Sequence, residues 1–222
     1  MMTRLKAPER DCLKYMVHEA YMEIFPTDTI ESRLDVLEPF SYVAVTCSPS
    51  KGVDETLDMT ERLALRDFKV VPHIAAKMVR NKQHLREIIA RLNDLPVISI
   101  FVPGGDARTP LGNYSTAYEL LRDIAEIEHK FTEIGVGAHP EGHPEVSDEV
   151  LIAELLKKQE VANYLVTQMC FEAAAIEAWL VKIRDRGVTL PCLLYTSDAA
   201  DDEYNVLVWG GGGGGGRWGG GG

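Results

Sequence analysis

The chain has 222 residues, 45% hydrophobic and 26% charged, an ordinary balance for a folded domain with a core of its own. Thirty-four acidic side chains against 23 basic ones give a formal net charge of −11, which argues against nucleic-acid and membrane partners, since both reward positive charge. The four cysteines form no Cys-x-x-Cys pair and fit reduced thiols in a cytoplasmic protein.

Short apolar runs alternate with longer amphipathic ones. Strands are predicted at Ala20–Phe25, Tyr42–Thr46, Lys69–His73, Val97–Val102, Glu133–Ala138 and Tyr164–Thr167, with a seventh beginning at Val188. Helices are predicted at Thr29–Leu37, Glu55–Arg66, Lys82–Leu92, Ser115–His129, Asp148–Gln159 and Glu172–Arg186. In the fourth helix Tyr118, Leu121, Ile124 and Ala125 recur at helical spacing; in the sixth, Ile176, Trp179, Leu180 and Ile183 form the stripe that packs inward. Ser147 reads as a helix N-cap and Gly187 as a C-terminal glycine.

Strands alternating with helices imply a parallel sheet. Six such units and a seventh strand suit an incomplete (β/α)8 barrel, whose full form takes about 250 residues. A doubly wound open sheet is the runner-up, weakened because no Gly-x-Gly-x-x-Gly turn follows the first strand.

Residues 1–20 carry Arg4, Lys6, Glu9, Arg10, Asp11 and Lys14 and no apolar core of a signal peptide. No stretch approaches the roughly 20 apolar residues of a membrane span. Eleven of the nineteen glycines fall at 210–216 and 219–222. Residues 192–222 therefore read as a non-native, disordered tail, in which CLLYTSDAAD resembles a translated sequencing adapter, and 1–191 as the partial barrel. A barrel stopping at its seventh strand leaves two sheet edges open, so the chain as written is expected to fold poorly and turn over little.

In a barrel of this type the active site lies where the strands end. Polar residues gather there: Glu23 in the first strand, Thr46-Cys47-Ser48 after the second, His73 after the third, Gly104-Gly105-Asp106 after the fourth, His139 to His143 after the fifth, and Gln168 after the sixth. Each has an alternative. Glu23 is either a working carboxylate or the partner of a core arginine. His73 alone reads as a core histidine. The Gly-Gly-Asp turn either admits a ligand to the backbone or simply tightens a loop. His139 and His143 are four apart, but Pro140 and Gly142 between them bar a shared helical face, so no metal site is assigned. Cys47 and Cys170 have no base beside them in sequence.

Taken in order, YMEIFPTD, VTCSP, VVPHIAA, GGDA, GVGAHPEGHPEV and YLVTQMCF resemble the methylenetetrahydrofolate reductase family over about residues 20–191. The resemblance implies an FAD-binding barrel. Such a barrel reduces 5,10-methylenetetrahydrofolate to 5-methyltetrahydrofolate with NADH or NADPH, supplying methionine synthesis. It implies Glu23 as the general acid, with Asp106 catalytic and, with Gln168, in contact with folate. It places Thr46, Cys47, His73, Gly104, Gly105, Asp106, Tyr114, His139, His143 and Lys158 around FAD, and a homo-oligomer in the full-length parent. Where the family commonly has Arg-Gly-Asp this chain has Gly104-Gly105-Asp106, and His139 replaces the usual tyrosine. The segment before Gln168 is one residue short, so Lys157 competes with Lys158, and Met169-Cys170 stand where aromatics are common. Two other readings remain open: a metal-dependent lyase or hydrolase using His73, Asp106, His139 and His143, and a catalytically silent flavin- or folate-binding module.

Overall fold

The computed structural model describes residues 20–27, 29–144 and 146–195, together with Pro8 and Asp11. Seven strands follow in chain order: β1 (Tyr21–Ile24), β2 (Tyr42–Val45), β3 (Lys69–Pro72), β4 (Ser99–Val102), β5 (Glu133–Ala138), β6 (Tyr164–Thr167) and β7 (Cys192–Leu193). Between them run α1 (Ile30–Arg33, continued by a 3-10 turn to Val36), α2 (Gly52–Ala64), α3 (Lys82–Asn93), α4 (Ala117–Ala125), α5 (Asp148–Lys158) and α6 (Ala173–Asp185). Every strand pair is parallel and joins sequence neighbours, β1-β2-β3 in one ladder and β4-β5-β6-β7 in the other. A parallel bridge between His73 and Phe101, with Ile74 N–H donating to the Phe101 carbonyl at 2.8 Å, joins the two ladders. This is an incomplete (β/α)8 barrel.

The strands are apolar on both faces, as parallel strands between helices and a barrel interior must be. Outward residues Ile24, Val43, Val45 and Val70 pack with Leu34, Met59 and Leu63. Ile100, Val102, Ile134, Val136 and Leu165 join the larger cluster under α3 to α6. Each such side chain fully removed from water contributes roughly 1.5–3 kcal/mol before ordering costs. The inward residues Ala44, Val71 and Phe101 form a small separate cluster with Tyr21, Tyr42 and Val166. Neighbouring helices are also tied at the surface. Arg91 of α3 holds Asp58 and Glu61 of α2, each at 2.5 Å, Lys82 of α3 meets Asp123 of α4 at 3.2 Å, and Lys182 of α6 meets Asp148 of α5 at 2.6 Å. Exposed pairs of this kind add little to stability individually.

The sequence-derived elements are all present, with shifted ends. α4 is shorter than the expected Ser115–His129 because Thr116 and Glu119 close a capping box ahead of Ala117, and Glu126 and Ile127 end it in tight turns. Its buried face is Ala117, Leu120, Leu121 and Ile124, while Tyr118 lies at the side beneath the Lys157 ammonium. Ser147 precedes α5 but makes no side-chain cap bond. Gly187, at φ +94°, ends α6: its N–H reaches the Arg184 carbonyl at 3.0 Å and Val188 N–H the Ile183 carbonyl at 3.0 Å, the pairing that requires a left-handed residue. β7 begins only at Cys192, because Pro191 has no N–H to give; its carbonyl instead accepts from Leu165 at 2.8 Å. The boundary expected at 191 thus falls just before a strand paired to Leu165 and Val166, and Tyr195 N–H donates to Thr167 Oγ1 at 2.9 Å. The rest of the expected tail and nearly all of the N-terminal segment read for a signal peptide lie outside the described residues. Among the described residues no helix is long and apolar enough to cross a membrane.

Candidate active site

Strand alternation decides which side chains enter the barrel. Ala44 and Val71 belong to the interior cluster, and the β1-β2-β3 register puts Glu23 level with both. Two residues further along, Thr46 and His73 share that inner face. On the other ladder Phe101, Gly137, Val166 and Gln168 continue it. Glu23 Oε1 is buried and lies 3.9 Å from His73 Nδ1. Complete burial pushes the His73 imidazole down to about 3, so it is neutral and the contact is not an ion pair. The His73 ring leans on Phe101, centroids 4.7 Å apart, and the Phe101 ring reaches Gly137.

Thr46 closes β2, its N–H donating to the Ile24 carbonyl at 2.9 Å and its own carbonyl accepting from Thr56 Oγ1 at 2.8 Å. Its hydroxyl is buried and has no hydrogen-bond partner among the described residues. The loop after β4 lies against the turn after β3: Ala76 N–H donates to the Pro103 carbonyl at 3.0 Å and Lys77 N–H to the Gly104 carbonyl at 3.1 Å. Asp106 stands exposed at this rim. Surrounding protein raises its carboxyl above the usual range, and the Lys77 ammonium pulls the other way.

After β5 the chain turns at Gly142, φ +81°, with its N–H on the His139 carbonyl at 3.1 Å. That turn brings the His139 and His143 rings edge to face at 5.4 Å. Burial, with His143 and Lys158 beside it, pushes His139 down to about 4. Burial also lowers the Lys158 ammonium, and Glu154 counteracts it. Lys157 points elsewhere, pairing with Glu154 at 2.8 Å. Gln168 N–H donates to the Ala138 carbonyl at 2.8 Å, which sets its side chain at the end of β6 beside the His139 turn. Among the described residues no group of three His, Cys, Asp or Glu side chains is placed to hold a metal ion.

Two expected residues are turned away from this mouth. Cys47 faces outward and packs with Val53 and Leu57 of α2; burial pushes its thiol up, with Ala75 N–H and Thr56 opposing. Tyr114 is buried in the helix layer and its hydroxyl donates to Asp123 of α4 at 2.6 Å. A hydroxyl engaged this way has no free proton to offer the barrel mouth.

A family model described as methylenetetrahydrofolate reductase matches residues 26–194. The chain belongs to the methylenetetrahydrofolate reductase family. A curated relative from Caenorhabditis elegans, named "Probable methylenetetrahydrofolate reductase (NADPH)", is 26% identical over 164 residues, 73% of this chain. The chain spans 23% of that relative's length. Within this methylenetetrahydrofolate reductase fold, sequence reasoning missed Lys77, Phe101 and the Ser99–Tyr164 hydroxyl pair at 3.4 Å. The spacing of Ser99 and Phe101 in β4 places both on one face, which was the available signal. Lys77 had none, because it is brought to the rim by a loop packed on another loop.

Proposed function

We propose that this chain carries the flavin- and folate-binding barrel of a reductase that converts 5,10-methylenetetrahydrofolate to 5-methyltetrahydrofolate with NADH or NADPH. The reading rests on family membership together with one observation: Glu23 stands beside a neutral His73 in a mouth rimmed by Asp106 and Gln168. FAD suits the residues present. Thr46 offers a buried hydroxyl without a hydrogen-bond partner among the described residues, Gly104 leaves open space where a side chain would stand, and Lys158 offers a partly buried ammonium. A flavin held there would supply the hydride relay between nicotinamide and folate, whose alternating use these residues would accommodate.

The chain's own residues handle binding and the proton. Glu23 gives a proton to the folate bridge nitrogen, opening the ring toward an electrophilic iminium. His73, being neutral, adds no positive charge that would hold that carboxyl as the carboxylate. Asp106 and Gln168 orient the pterin, the amide offering both a donor and an acceptor. Phe101, under His73, keeps water from the floor of the site. The product feeds methionine synthesis, and we place the protein in the cytoplasm, homo-oligomeric in its full-length form.

The test is a titration of the folded, monodisperse fraction of the purified 222-residue chain with FAD and with 5-methyltetrahydrofolate, followed by flavin absorbance and protein fluorescence. Saturable binding of both, with Glu23→Gln retaining it, is expected. A folded chain that binds neither would sink the reading.

A further inference from the structure

Lys77 lies in the 3-10 turn Ala76–Met78 that follows β3. Its main chain is held from two sides: its N–H donates to the Gly104 carbonyl at 3.1 Å, and its carbonyl accepts from Leu111 N–H at 2.8 Å. The Gly104-Gly105-Asp106 turn is pressed against it. A Cβ at Gly105, where φ is +91°, would stand 3.1 Å from the Ala75 Cβ and 3.6 Å from the Lys77 Cβ, so the approach requires glycine. At Gly104 a Cβ would meet nothing within 4 Å. The outcome is a bare backbone shelf with Lys77 fixed beside it.

The lysine is half-buried, yet no hydrogen bond or ion pair engages its ammonium among the described residues. Lys82, Lys157 and Lys182 show the usual pattern, each paired with a carboxylate. Lys77 acts on the Asp106 carboxyl across the rim, and no ion pair between them is formed. A chain of net charge −11 repels an approaching anion unless a local cation compensates. At the shelf Asp106 sharpens that repulsion and Lys77 is placed to cancel it.

We propose that Lys77 is a ligand-binding residue that meets an anionic group of the bound cofactor or substrate lying across the Gly104–Gly105 shelf. The inference rests on the flavin and folate reading above. The shared chemistry is a fixed anion, either a diphosphate oxygen of the dinucleotide or a glutamyl carboxylate of the folate. The backbone bonds of Lys77 do not involve its side chain, so changing that side chain leaves the turn in place.

The experiment compares the wild-type 222-residue chain with Lys77→Ala, Lys77→Gln and Lys77→Arg, each titrated with two ligand pairs. FAD is paired with riboflavin, and 5-methyltetrahydrofolate with the corresponding pterin lacking glutamate. Loss of a charge-assisted contact is expected to weaken one anionic ligand about tenfold in Lys77→Ala and Lys77→Gln. Its anion-free counterpart should bind unchanged, Lys77→Arg should restore the affinity, and added salt should shrink the difference. A loss confined to FAD assigns the phosphate; one confined to the folate assigns the carboxylate. Equal affinities in wild type and both neutral variants, or a parallel loss of both members of a pair, would overturn the role of Lys77 while leaving the flavin and folate reading standing. A folded wild-type chain that binds none of the four overturns both.

Discussion

Glu23 Oε1 lies 3.9 Å from His73 Nδ1, two strands apart, within the apolar interior of the barrel. The imidazole is neutral there because burial denies it a proton, so the Glu23 carboxyl sits beside a dipole rather than a cation. That relationship separates binding from chemistry. In preparations that turn over, Glu23→Gln should leave folate and flavin affinity near wild type and slow hydride delivery to folate by about a hundredfold or more, as loss of a general acid does. Single-turnover absorbance at the flavin band measures it, and an unchanged rate would remove the acid role.

His73 should also make the fold acid-sensitive. Its folded pKa is about 3, below the ordinary 6.5, so at neutral pH it is uncharged in both folded and unfolded chains. As pH falls from about 6.5 towards about 3, the unfolded chain takes up a proton that the folded chain refuses, and stability drops through that window. Each unit of separation is worth about 1.4 kcal/mol. His139, held down at about 4, adds a loss of the same sign over the upper part of the range. Urea midpoints recorded from neutral to acid pH should therefore decline steeply, and His73→Asn should flatten the decline. A parallel slope in that variant would show that His73 is not the responsible group.

Gly135 lies under the Tyr164 ring on the next strand. A Cβ there would stand 2.4 Å from Tyr164 Cζ. Gly135→Ala should destabilise the barrel by about 1–3 kcal/mol through overpacking. Adding Tyr164→Ala, which removes the ring, should cost less than the two single changes summed. A thermal-melt double-mutant cycle gives the answer; strict additivity would place the strain elsewhere.

Two other glycines should part company. At Gly112 a Cβ would lie 1.7 Å from the Arg80 carbonyl oxygen, a backbone atom that cannot swing away, and Asn113 N–H is bonded to that same carbonyl at 2.9 Å. Gly112→Ala should displace the 111–113 segment and lower the melting temperature clearly. Gly104→Ala faces open space and should melt like wild type, any effect appearing only in ligand affinity. Equal melting of the two variants would contradict the packing described for Gly112.

The order of elements was readable because strand runs, helical stripes and their punctuation are local. Gly187 illustrates this: a glycine after an amphipathic stripe predicts the left-handed helix end that α6 adopts. Helix ends were less readable. The Thr116–Glu119 capping box starts α4 later than the hydrophobic spacing alone indicates. The polar residues at strand ends were legible as a set, because chain order in a strand–helix repeat is also order around the mouth.

By itself, then, the sequence determined a parallel strand–helix repeat, its family and the ring of strand-end residues from Glu23 to Gln168. Only the tertiary structure decided which way those residues face. Parallel strands are apolar on both sides, so composition does not distinguish inward Thr46 from outward Cys47, and the distinction comes from pairing with neighbouring strands. Tyr114 was taken by Asp123 of its own following helix, and Lys77 was brought to the rim by a loop 27 residues further along, at Gly104. Contacts set by the packing of one loop on another leave no period in the chain, and so they appear only when the chain is folded.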